Sequence, residues 1–222
     1  LGPQRGLHRH LSNPLNTTPL HRALMDALDD WVTNGTSPPA SRVPTRADET
    51  AAPADIVGAG FPAIPGVSCP VEANRLGVQE HDPALDSSVA METAPAYGDG
   101  EYSILVPQVD ADGNDVPGIR TPDVEVPLAT YTGWNLRPEG SAEKAMAGVV
   151  GSYLPFARTE RERRDSGDVR PSLEARYRSR GHYVRAVAMA AQRLVSERLL
   201  LEEDADRYVE RAATEDAGDW RT

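Results

Sequence analysis

The sequence predicts mixed helix and strand: amphipathic helices toward both ends, and between them a loop-rich middle holding one β-hairpin. Three observations carry this. Leu20, Leu24, Leu28 and Trp31, with Ala23, Ala27 and Val32, recur at helical spacing. YSILVPQV at 102–109, DADGND at 110–115 and VPGIR at 116–120 read as strand, turn and strand. Residues 141–222 carry a succession of capped helical patterns.

The first helix has clear signals at both ends. Thr18 is a candidate cap, and Pro19 fits the first helical position, where a missing N–H costs nothing. Gly35 stops the helix, and Ser37-Pro38-Pro39 prevents its resumption. A helix this amphipathic needs a large apolar surface, and almost nothing before it supplies one. With a first residue of Leu1 rather than Met, the chain is expected to be the end of a larger protein.

In the middle, Asp-Gly and Asn at 110–115 suit a tight turn because they tolerate positive φ. VEVPLATYTGW at 124–134 is expected to be extended, and its proline marks an edge or an irregular path. Residues 36–100 are expected to run as long loops over a core supplied elsewhere, since such a stretch is uncommon inside a compact domain. Toward the end, Thr159 and Glu162 match a capping box. Ser172 is placed to cap LEARYRS, and Ser179 a long helix over about 180–199. That helix buries Tyr183, Val187, Ala190, Leu194 and Val195; a last helix over 202–214 faces it with Ala205, Tyr208, Val209 and Ala212. Three regions result: 1–35, 36–140 and 141–222.

Composition limits the function classes. Nineteen Pro and eighteen Gly beside 39% hydrophobic residues argue for less core than 222 residues permit. The net charge of −11 falls wholly on residues 1–140, which disfavours nucleic acid and anionic lipid as partners. Lys144 is the only lysine. Cys69 is the only cysteine, so neither an intrachain disulfide nor a cysteine zinc cluster forms. No apolar run approaches the roughly 18–20 residues of a membrane span, and the compartment is left open.

Several segments together resemble a known family. TPLHRALMDALDDWVTNGTSPPASRVPTRAD at 18–48, GFPAIPGV at 60–67, VPQVDADGNDVPGIRTPDVEVPLATYTGWNLR at 106–137, GSYLPFARTERER at 151–163 and DVRPSLEARY at 168–177 are similar to the C-terminal part of bacterial α/β-hydrolase domain-containing proteins. The resemblance implies an α/β fold in the complete protein. It makes residues 1–35 the last helix of a hydrolase core, 36–140 a loop-rich belt and 141–222 a helical extension. It also implies two partners, the hydrolase core before residue 1 and a small ester-like substrate, and a Ser-His-acid triad.

The chain lacks the nucleophile motif. Such a serine sits in G-x-S-x-G on a tight strand-to-helix turn, and the nearest match, Gly66-Val67-Ser68-Cys69-Pro70, has Pro where the second Gly belongs. Ser68 therefore reads as a loop residue. In this fold the chain order is serine, acid, histidine, so a C-terminal portion would retain only the histidine. His10, eight residues before Thr18, is the first candidate and His8 the second, against exposed histidines in a frayed terminus. His21 reads as a surface residue, and His81 and His182 form no metal-ligand spacing.

Asp110, Asp112 and Asn114 begin like a calcium loop, but Asp115 and Thr121 stand where Gly and Glu are required. A turn explains them better. The Arg-rich stretch from Arg158 to Arg185 is interleaved with carboxylates and reads as a solvated, ion-paired face. The sequons at Asn16 and Asn34 read as helix signals. No cofactor and no metal are expected. The leading reading is a serine hydrolase in the complete protein, with residues 1–222 alone inactive and poorly folded. The alternative is a non-catalytic module that covers another domain or subunit.

Overall fold

The computed structural model describes residues 3–4, 6–54, 59–70, 76–80, 96–140, 142 and 145–214. His81 lies outside them. Strand β1 (Leu11–Ser12) leads to helix α1 (Thr18–Asn34). Gly35 ends α1 in the left-handed region at φ 75°, its N–H on the Trp31 carbonyl at 3.0 Å. The start differs from expectation: Thr18 is already helical, and the Asn16 side chain accepts its N–H at 3.0 Å. An Asn amide two residues upstream satisfies a free helical N–H as well as a hydroxyl cap does. Burial also differs. Leu20, Ala23 and Ala27 are buried, whereas Leu24, Leu28, Trp31 and Val32 remain exposed.

In the middle, β2 (Ala51–Pro53) pairs antiparallel with β5 (Leu105–Pro107), and β3 (Gly77–Glu80) with β4 (Ala96–Glu101). The hairpin expected near 102–120 is therefore corrected. Its first strand is only three residues long and pairs with β2, while 116–120 forms no strand. The reversal itself is present. Val109 bridges Asp115, Asp110 Oδ1 accepts the Asp112 and Asn114 amides at 2.9 and 3.0 Å, and Gly113 sits at φ 81°. Pro117 cannot donate to a ladder and Gly118 turns at φ 94°, which stops the return strand. Likewise 124–134 is not extended throughout. Pro122 starts a helical turn, α2 (Pro122–Glu125), before β6 (Ala129–Tyr131).

Strand β7 (Ser152–Pro155) lies between β1 and β6, antiparallel to both, with Leu11 opposite Tyr153 and Thr130 opposite Leu154. Every strand pairing among the described residues is antiparallel. The helices that follow obey their caps. Thr159 Oγ accepts the Glu162 amide at the start of α3 (Glu160–Ser166), and the Glu162 carboxylate returns to the Arg158 amide at 2.8 Å. Ser172 caps α4 (Leu173–Arg176) and Ser179 caps α5 (Arg180–Ser196). Helix α6 (Glu202–Thr214) packs back on α5, and Tyr183, Val187, Leu194, Ala205 and Tyr208 form its core with Phe156 and Tyr177.

The Arg-rich stretch is not simply a solvated face. Arg161 and Asp165 are an exposed i,i+4 pair, but Arg170 is 3% exposed. Its guanidinium grips Asp168 through two hydrogen bonds of 3.0 and 2.6 Å. It also donates to Thr130 Oγ, the Leu154 carbonyl and the Pro155 carbonyl at 2.8, 2.9 and 3.2 Å. Arg176 makes a two-pronged pair with Asp112 and stacks 4.1 Å over the Phe156 ring. Removing Arg170 strands a buried carboxylate and three acceptors. Arg170→Ala is therefore expected to cost about 3–5 kcal/mol in a denaturant melt, and Arg170→Lys to recover little of it, because an ammonium lacks the planar fork.

Candidate functional site

The segment that carries His8 and His10 closes on itself and on the sheet. The Ser12 amide donates to the Gln4 carbonyl at 2.8 Å, and the Arg9 amide to the Leu136 carbonyl at 2.9 Å. Asn135, fully buried, holds His10 by its backbone. Its Oδ1 accepts the His10 amide at 3.2 Å and its Nδ2 donates to the His10 carbonyl at 3.1 Å, as a neighbouring strand would. The same side chain accepts the Leu136 amide at 2.9 Å and donates to the Gly151 carbonyl at 3.3 Å. One residue thus ties the N-terminal segment, the turn after β6 and the start of β7.

The His10 side chain is partly buried, and its Nε2 has no hydrogen-bond partner among the described residues. Burial lowers its pKa from the usual 6.5, and the neighbouring Arg9 charge lowers it further. Arg9 is held 3.4 Å from Glu139. A neutral imidazole with an unengaged nitrogen is competent to take a proton. His8 Nδ1 is likewise buried without a partner. No carboxylate among the described residues hydrogen-bonds or ion-pairs with either ring, so the orienting acid of a triad is not provided here.

The remaining candidates lie elsewhere. Ser68 and Cys69 lie in a loop, with burial raising the Cys69 thiol pKa. His21 is exposed on α1, and His182 sits in the first turn of α5. Arg120 pairs with Asp110 at 2.9 Å and Arg176 with Asp112, so arginines occupy the carboxylates that resemble a calcium loop. Among the described residues no cluster of His, Cys, Asp or Glu fits a metal ion. No helix among the described residues is long and apolar enough to cross a membrane.

A concavity of about 320 Å³ opens beside the sheet, walled by Ile64, Val67, Leu154 and Phe156, with Asp168 and Arg170 at its polar end. Its walls come from the GFPAIPGV and GSYLPFAR segments. Arg170 has every donor engaged within the protein, so this space suits an apolar group better than an anion.

Residues 3–210 match the family described as alpha/beta hydrolase domain. The chain belongs to that family. No curated protein and no solved structure matches it. Membership agrees with the α/β expectation, and within this family member the helices accompany small antiparallel sheets. Asn135, within TGWNLR, is not among the residues that the sequence singles out. Its signal is a lone Asn after an aromatic, which acquires meaning only once His10 is beside it. Asn135→Ala removes four hydrogen bonds, and is expected to cost at least about 2 kcal/mol. In amide exchange, His10 and Leu136 should then lose protection while α5 keeps its own.

Proposed function

We propose that the complete protein hydrolyses ester-type substrates through a Ser-His-acid triad in which His10 is the general base. The observation that carries this reading is His10 itself: a backbone pinned by Asn135, a depressed pKa and an unengaged buried Nε2. Unpaired buried nitrogens are uncommon, because each costs about 1–3 kcal/mol. A hydroxyl nucleophile donating to Nε2 would satisfy this one. On this reading the serine and the acid come from outside residues 1–222, and α1 lies against the domain that holds them. His10 Nε2 would take the serine proton during attack and return it to the leaving alcohol. Membership in the hydrolase family supports hydrolysis in general, while fold analogy alone does not establish the chemistry. The exposed face of α1 also favours the second reading, a non-catalytic covering module.

Two measurements separate these readings. In the complete protein assayed with a short-chain nitrophenyl ester, His10→Ala is expected to lower kcat/KM at least about a hundredfold. Unchanged hydrolysis removes His10 from the triad. The pH profile adds a sign. A base acts when deprotonated, so the acid limb should fall below the usual histidine value of 6.5. Arg9→Gln removes the second cause of the depression and should move that limb upward.

A further inference from the structure

The concavity of about 320 Å³ beside the sheet has fixed walls. Ile64 and Val67 are the two ends of a tight turn. Pro65 and Gly66 are its central residues, Gly66 lies at φ 74°, and the Val67 amide donates to the Ile64 carbonyl at 3.1 Å. Leu154 on β7 and Phe156 just after it complete the apolar wall, both buried. The space has room for about ten heavy atoms, at roughly the 30 Å³ that one water takes in the liquid. The polar side of the lining is one-sided. Arg170, its cation, spends all five donors within the protein, and two of its bonds consume the Asp168 carboxylate. Glu162 and Ser166 remain, four residues apart on one face of α3. The Ser166 hydroxyl donates its hydrogen to the Arg163 carbonyl at 3.1 Å, which leaves its lone pairs. Glu162 is not a loose surface acid. The capping box tethers its Oε2 to the Arg158 amide at 2.8 Å, while its Oε1 has no partner among the described residues.

We propose that this concavity binds a small free aliphatic amine as its ammonium ion. The alkyl chain lies against Ile64, Val67, Leu154 and Phe156, and the ammonium donates to Glu162 Oε1 and Ser166 Oγ. The balance of donors and acceptors selects this occupant. A carboxylate or phosphate would set its oxygens against lone pairs, with no side-chain donor left in the lining to meet them. A hydrocarbon would cover the apolar wall and take the fixed carboxylate out of water unanswered, which is costly. An alcohol brings one hydrogen and no charge. An ammonium brings three donors and a charge opposite to that of Glu162, and such charge-assisted bonds are roughly twice as strong as neutral ones. The inference is independent of the proposed hydrolysis, since none of these groups acts on or through His10.

The test titrates the 222-residue chain with hexylamine, hexanol and hexanoate at pH 7, where an alkylamine is protonated. Binding is followed by NMR through the methyl signals of Ile64, Val67 and Leu154. Hexylamine should shift all three and bind at least about fivefold more tightly than hexanol, and hexanoate should not bind. Glu162→Gln keeps an acceptor for the Arg158 amide, as a capping box allows, and removes the charge. It should lower hexylamine affinity at least about fivefold and leave hexanol unchanged. Val67→Trp fills the space from the loop and should abolish binding of both. Circular dichroism on each variant confirms an intact fold. Nα-acetyl-lysine amide carries the same head on a peptide unit and should bind more weakly than hexylamine. Equal binding of hexanol or hexanoate, no binding of hexylamine, or an unchanged affinity in Glu162→Gln overturns the proposal. So do shifts confined to methyls outside this wall, or tighter binding of the lysine derivative, the mark of a protein partner. No ester hydrolysis enters this assay, so its failure leaves the role of His10 standing, and an inactive triad leaves the amine site standing.

Discussion

The buried fork of Arg170 is the interaction on which the rest of the structure depends. Its five hydrogen bonds reach Asp168, the Thr130 hydroxyl on β6 and two carbonyls on β7. Thr130 in turn donates to the Asp112 carbonyl, which fixes the 110–115 turn, and Arg176 grips the Asp112 carboxylate from α4. Phe156 sits under both guanidiniums, at 5.0 and 4.1 Å. Sheet, turn and helical body thus meet through cations rather than a broad apolar contact. A buried charge is tolerated only when its hydrogen bonds are met, and Arg170 meets them all. Composition explains the choice. With only two Phe and 39% hydrophobic residues, the chain has little apolar material for a second core. Every basic residue but Lys144 is Arg, the side chain whose planar fork serves several oxygens at once.

A second constraint arises at the sheet edges. Strands of two to four residues leave backbone groups unpaired, and buried unpaired groups are costly. Two buried asparagines stand in for missing strands. Asn114 donates to the Ala129 carbonyl at 3.1 Å and accepts the Tyr131 amide at 2.7 Å along the outer edge of β6. Asn135 does the same for His10. A side-chain amide has the donor and acceptor of a peptide group, so it replaces one strand residue without lengthening the strand. The consequence for His10 is a fixed backbone beneath a partly buried imidazole.

How legible this was in the sequence depends on how local each cause is. The hydroxyl caps at Thr159, Ser172 and Ser179 and the glycine stop at Gly35 act within a few residues, and the structure agrees with each. The α5–α6 hairpin was legible for the same reason, since two amphipathic helices joined by five residues can hardly do otherwise. Arg170 and Asn135 were not legible. Arg170 looks like one more arginine among alternating charges, and its partners Thr130 and Leu154 are distant in sequence. The strand at 105–107 was legible as a strand but not in its partner, because pairing with Ala51–Pro53 is a tertiary choice. His10 could be nominated from the resemblance and from chain order, but its depressed pKa and pinned backbone come from burial and from residue 135.

The apolar face of α1 and the environment of His10 bear on one another. Arg22 anchors the N-terminal part of α1 to Asp204, which is 3% exposed, and Arg198 ties Asp30 near the other end to the turn after α5 at 2.9 Å. That turn places Arg198 itself at φ 59°, an uncommon conformation for a residue with a side chain, stabilised by these contacts and by the Ser37 carbonyl at 3.0 Å. The helix is therefore held at both ends, and its exposed stripe is presented rather than collapsed inward. The chain from Asn13 to Thr17 joins β1 to α1, and Asn13 Nδ2 donates to the Thr132 carbonyl across the sheet at 3.1 Å. A body seated on α1 would meet a surface whose distance from His10 is fixed by that short, tethered connection. Rigidity of this kind would matter for the proposed role of His10, since proton transfer requires hydrogen-bond reach in each direction.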